Sequence, residues 1–121
     1  MFRVILNYVK LIVAIGTVGF GAYSLIAPKA IKGFTGLVAD GSRGISEIRA
    51  VMGGVFIALG LVAIVFKYAF YRNDAAYLTL GLVYLTIAVI RLFSILFDKA
   101  YQSSNFISLA SEIVFGVLLI L

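Results

Sequence analysis

Two short stretches place an acid inside otherwise apolar sequence: Ser46-Glu47-Ile48-Arg49-Ala50 and its echo Ser111-Glu112-Ile113. A further charge, Arg91, sits deep in a third apolar run and is followed at helical spacing by Ser94 and Asp98, with Tyr84 two turns before it. A lone charge near the centre of a bilayer costs about 2.5 to 3.5 kcal/mol on insertion scales, less toward the interface, so charges kept there pair, face a polar cavity or serve a ligand or proton. Ion pairing, recognition of an anionic headgroup or a quinone-like ring, and proton transfer are therefore the chemistries open to these residues. Nucleophilic and metal chemistry fit poorly. The chain has no His, Cys or Trp, and its five acids are dispersed, which removes Ser-His and Cys-His arrangements, disulfides and the usual ligands of zinc, copper, haem iron and iron-sulfur clusters. No cofactor is expected, and the Gly-rich stretches have no GK[ST] that would make a phosphate loop.

The elements that must position these residues are read from hydropathy. Of 121 residues, 64% are hydrophobic and 12% charged, with a mean hydropathy of +1.17, far from the roughly 25% charge of soluble domains. About 20 apolar residues cross ~30 Å of hydrocarbon, and the chain accommodates four such spans, expected near 8–27, 45–66, 76–97 and 106–121. The fold class is an all-α membrane protein, a single domain forming a four-transmembrane-helix up-down bundle. A positive start before an apolar core also fits a signal peptide, with Gly21-Ala22-Tyr23-Ser24 as a poor cleavage site. Lys10 is expected to snorkel toward headgroups, and Gly16, Gly19 and Gly21 to let a neighbouring helix approach. After Pro28, the segment Ala30-Ile31-Lys32-Gly33-Phe34 can lie on the interface before Asp40 or Ser42 caps the second span. That span carries small residues at Gly53, Gly54, Ala58 and Gly60. A polar turn through Lys67, Tyr71, Arg72 and Asn73 then leads to the third span.

Along the third span, Tyr77, Gly81, Tyr84, Ala88, Arg91, Ser94 and Asp98 recur at intervals of three and four, a stripe that should face protein or water. Tyr68, Tyr71, Tyr77 and Tyr101 suit an interfacial aromatic belt. A shift of 70 positions aligns the end of the first span, Tyr23 to Ala30, with the end of the third, Phe93 to Ala100, and after a first loop five residues longer Ser46-Glu47-Ile48 aligns with Ser111-Glu112-Ile113. One reading is thus two parallel-repeat helical hairpins with Glu47 and Glu112 as symmetry mates; chance similarity of apolar helices is the other.

In an up-down bundle the end of helix three and the starts of helices two and four share a side. Arg91 and Glu112 then both lie ~9 Å below one surface at ~1.5 Å per residue, and can pair. Glu47 and Arg49 reach the same side slightly shallower. The expected site is a cluster of Glu47, Arg49, Arg91 and Glu112, with Ser94, Asp98, Ser108 and Ser111 completing the hydrogen bonds and Tyr84 deeper. Two readings stand side by side: a polar pocket for a headgroup, quinone-like ring or proton, and an ion-pair clamp that sets helix register. The net charge of +5 is carried by bases standing singly at segment ends, which favours membrane lipids over nucleic acid as partners.

The residues Gly21, Leu25 and Pro28, the run Glu47-Ile48-Arg49-Ala50 with Gly53-Gly54, the run Arg91-Leu92-Phe93-Ser94, and Glu112 resemble a bacterial family known as domain of unknown function 4345, related to the DoxX-like group of small four-helix membrane proteins. The resemblance implies four spans, an inner-membrane location and both termini inside; the bases themselves tie, with Arg3, Lys10, Lys67 and Arg72 on one side and Lys29, Lys32, Arg43 and Lys99 on the other. Some DoxX-like relatives belong to quinone-linked redox systems, which makes a redox subunit one functional expectation. The others are a non-enzymatic binding or accessory subunit, alone, in a larger membrane complex or as a homo-oligomer, and a small proton- or ion-coupled transporter.

Overall fold

The computed structural model describes residues 1–68 and 74–121. Helix α1 spans Phe2–Ile26, α2 is a single turn at Lys32–Thr35, and α3 covers Gly41–Glu47. A π-helical segment, Ile48–Val55, joins α3 to α4, Phe56–Tyr68. Ile48 and Phe56 keep right-handed helical backbone, so these three pieces run as one rod. Helices α5, Asp74–Asp98, and α6, Ser103–Ile120, complete the chain. Four stretches are long and apolar enough to cross a membrane: Phe2–Ile26, Gly44–Tyr68, Ala75–Asp98 and Ser103–Ile120. The chain is an all-α, four-span membrane protein.

The helices exceed the lengths read from hydropathy. The first continues through the amphipathic lead-in, and the last gains a turn because Ser103, Ser104 and Asn105 belong to α6. Asp40 is the N-cap residue of α3, without a side-chain capping bond. The expected turn through Tyr71, Arg72 and Asn73 lies outside the described residues.

Packing is most extensive within two hairpins, α1 against the π segment and α4, and α5 against α6. The hairpins meet along α4 with α5 and α1 with α6, so α1 and α5 stand across the diagonal of a four-cornered bundle. The central apolar cluster, Val13, Ala14, Ala63, Tyr77, Leu80 and Leu119, draws on all four spans.

Small residues decide how closely the first hairpin packs. A Cβ on Gly21 would lie 2.7 Å from both the Gly53 carbonyl oxygen and the Ile57 nitrogen, and one on Gly60 would lie 2.7 Å from the Ala14 oxygen. Ala14 and Gly21 are seven residues apart, as are Gly53 and Gly60, so each pair occupies one face two turns apart. Gly16, Gly19, Gly54 and Ala58, expected to pack as well, are exposed, and the three glycines have no atom within reach of a Cβ. The helix presents one face to its partner, and these positions lie off it.

Gly21→Ala should therefore force the α1–α4 backbones apart, lowering unfolding stability in detergent by about 1–3 kcal/mol, the usual cost of overpacking. Gly16→Ala should leave the unfolding midpoint unchanged or raise it.

Candidate functional site

The expected pairing of Arg91 with Glu112 is made. Arg91 Nε donates to both Glu112 carboxylate oxygens, at 2.5 and 3.0 Å, and its Nη1 donates to Asn105 Oδ1 at 2.7 Å. Asn105 Nδ2 in turn donates to the Ala100 carbonyl, 3.0 Å away. Arg91 on α5 thus grips α6 at two levels, and Asn105 ties α6 to the connection before it. Glu112 is 7% exposed, while about a third of the Arg91 side chain remains accessible. Asn105 lies one residue before the fourth span expected at 106–121 and so falls outside the cluster read from the sequence. Its position seven residues before Glu112, on the same helical face, is the signal that would have found it.

The other half of the expected cluster does not join. Glu47 and Arg49 are exposed on the first hairpin, flanking Ile48, which is buried; the bonds of Arg91 and Glu112 reach neither of them. In the aligned triplet of α6 the inward residue is instead Glu112 itself, with Ile113 outside. The two triplets therefore differ by one residue of rotation, roughly 100°. Glu47 and Glu112 are not equivalent in surroundings: the π segment begins at Ile48, and Gly21, aligned with Arg91 in the 70-residue shift, packs backbone to backbone against the opposing helix. Close approach leaves no room there for a buried charge pair.

The hydroxyls also distribute differently. Ser94 Oγ donates to Asp98 Oδ2 at 2.8 Å, an exposed local pair on α5, and Ser111 Oγ donates to the Ile107 carbonyl of its own helix, 2.9 Å away. Tyr84 lies below the cluster and is bound elsewhere. Its hydroxyl is 2.5 Å from Thr17 Oγ1, and Thr17 Oγ1 is 2.8 Å from the Val13 carbonyl. A hydroxyl has one proton to give; with that of Thr17 committed to Val13, Tyr84 is the donor across the diagonal. Its ring also meets Phe115 edge-on, with centroids 5.7 Å apart.

Seven residues earlier on both α1 and α5, Lys10 Nζ sits 5.7 Å from the centroid of the Tyr77 ring. Lys10 is 5% exposed and Tyr77 fully buried, so Lys10 does not snorkel outward and Tyr77 is not an interfacial belt residue. The polar stripe on α5 faces inward from Tyr77 to Ser94, with Tyr77, Gly81 and Ala88 buried and Tyr84, Arg91 and Ser94 half-buried, while its last member, Asp98, is exposed. Lys10 and Thr17 on α1 supply its counterpart at the same seven-residue interval.

A family model described as a domain of unknown function (DUF4345) matches residues 5–121. The chain belongs to this family. The match takes in most of the first span, the whole of the other described elements, and every member of the Arg91 network. For this DUF4345 protein, comparison with curated proteins and comparison with solved structures returned no match.

Within the DUF4345 fold, a shallow groove of about 450 Å³ opens beside Arg49, lined by Leu25, Ser42, Ile45, Ser46 and Ala50. One cation, two hydroxyls and an apolar wall meet there.

Arg91→Ala should destabilise the fold more than Glu112→Ala, because it leaves the nearly buried carboxylate unpaired whereas the free arginine can reach water. The expected losses are about 1–3 kcal/mol. A double-mutant cycle in detergent unfolding should give favourable coupling, and Arg91→Leu with Glu112→Leu should recover much of the loss.

Proposed function

We propose that this protein is a non-enzymatic binding or accessory subunit of the membrane that holds a lipid-like or quinone-like amphiphile against its first hairpin. The observation that carries this reading is the contrast between the two arginines. Arg91 has a carboxylate and an amide as partners, and acts as the clamp of the second hairpin. Arg49 is exposed beside the groove with Ser42, Ser46 and the apolar side chains of Leu25, Ile45 and Ala50. A guanidinium has donors in a planar fork suited to phosphate or carbonyl oxygens, and the apolar wall suits an acyl or isoprenoid chain. π-Helical turns recur at functional sites, and Arg49 is carried on one. In this reading the chain resides in a bacterial inner membrane, in the DoxX-like group, and works within a larger complex or as a homo-oligomer.

Purification in mild detergent followed by native mass spectrometry should detect a co-purifying lipid or quinone. Arg49→Ala should lower its occupancy several-fold without shifting the unfolding midpoint, whereas Arg91→Ala should shift the midpoint. An apoprotein that takes up no amphiphile, or equal occupancy in Arg49→Ala, would refute the assignment.

A second reading, a proton pathway, is favoured by the polar side chains along the bundle diagonal: Lys10 with Tyr77, Thr17 with Tyr84, and Arg91 with Glu112 at the far end. Proteoliposomes with an internal pH dye would then acidify under an imposed gradient, and Glu112→Gln would abolish the flux. Absence of flux from the unaltered protein would remove this reading.

A further inference from the structure

The π segment, Ile48–Val55, has Ile48 and Gly53 as its buried residues, five positions apart as i→i+5 bonding requires. In an α-helix the residue four before Gly53 would share its face instead. That residue is Arg49. The second hairpin displays this α-helical alternative: Gly116 packs against Gly81 and Leu85 as Gly53 packs against Gly21 and Leu25, and four residues before Gly116 stands the buried Glu112. Glu112 is met by Arg91 of the facing helix. Arg49 would find no such counterpart on α1, because no acid precedes Asp40 in the chain. A charge turned inward without a partner is costly in hydrocarbon surroundings, and that cost favours the π register, with Ile48 inside and Arg49 at the rim of its groove.

Two features make the α register reachable. The chain entering α3 turns at Gly36 and Gly41, both at positive φ, where glycine accommodates changes in backbone angle. Within the segment, Gly54 is exposed and has open space around it. We infer that the π segment is a gate on the Arg49 groove. In the π register the groove stands open, with Ser46 and Arg49 exposed along it. In the α register α3 turns by one residue, roughly 100°. Arg49, four before Gly53, and Ser46, seven before it, then swing to the glycine face, Ile48 swings out, and the groove closes. The gate rests on the reading of the groove as an amphiphile site and supplies its regulation: an occupant that binds only the π register shifts the population toward that register.

The chain has no cysteine, so a single introduced thiol reports the register. The full chain in mild detergent is labelled with N-ethylmaleimide at Ile48→Cys or Ser46→Cys, and the Tm of each variant checks the fold. With Arg49 present, Ser46→Cys should react several-fold faster than Ile48→Cys, because Ser46 is exposed and Ile48 buried. Arg49→Leu should reverse that order. Deleting the exposed Val51 leaves a spacing of four between Ile48 and Gly53 and locks Ile48 inward in an α-helix, so Ile48→Cys should react slowly again even in the Arg49→Leu background. Should Arg49→Leu fail to fold, Arg49→Gln, which also removes the charge, must speed Ile48→Cys and slow Ser46→Cys. Labelling of Ile48→Cys proceeds through the minor register. Short-chain phosphatidylglycerol or a short-chain ubiquinone, whichever binds by native mass spectrometry, should therefore slow it several-fold further. An order of rates untouched by Arg49→Leu, or binding that leaves the Ile48→Cys rate unchanged, would overturn the gate; the second result would leave the reading of the groove intact. If neither amphiphile binds, that reading fails, while the exchange of rates still establishes the two registers.

Discussion

Helices already in hydrocarbon gain little from hiding apolar surface from one another, because acyl chains are as apolar as leucine; close backbone contact and polar bonds must hold them together. The Arg91 guanidinium supplies such a bond for the second hairpin. It reaches Glu112 with one nitrogen and Asn105 with another, fixing the register of α5 on α6, and Asn105 carries the constraint to the loop through Ala100. A carboxylate as buried as that of Glu112 is tolerable in a membrane when it is paired in this way.

In the first hairpin the same physical demand is met by close backbone contact. Gly21 against Gly53, and Ala14 against Gly60, bring backbones within van der Waals contact, so dispersion and close packing hold the two helices together along that face. Polar groups cross between the hairpins at the centre, where Tyr84 reaches Thr17, and a turn or two away, where Lys10 lies over Tyr77. The bundle is therefore asymmetric despite the likeness of its two halves in sequence. Both hairpins close on glycine, the second through Gly81 against Gly116; the second adds the Arg91 clamp, and the first carries a π-helical segment whose outer face presents Arg49.

This asymmetry bears on function. A charge that is fully engaged with its neighbours sets register, while a charge at the rim of a groove is available to a ligand. Arg91 belongs to the first kind. Arg49 belongs to the second.

Hydropathy alone determined the fold class and the four spans, because lipid imposes the same length and apolarity on any crossing helix. The pairing of Arg91 with Glu112 was also legible, since span topology and a fixed rise per residue place both at one depth. The inward face of the third helix followed from the spacing of Tyr77, Tyr84, Arg91 and their small neighbours. Tertiary structure decided which member of each triplet faces inward: Ile48 in one hairpin and Glu112 in the other. It also decided that Gly21 packs while Gly16 and Gly19 do not, and that Lys10 turns inward. These outcomes depend on helix rotation, and a rotation of one residue costs little in local propensity. Only contact with the neighbouring helix distinguishes one rotation from the next, and that contact is encoded in two chain segments at once rather than in either alone.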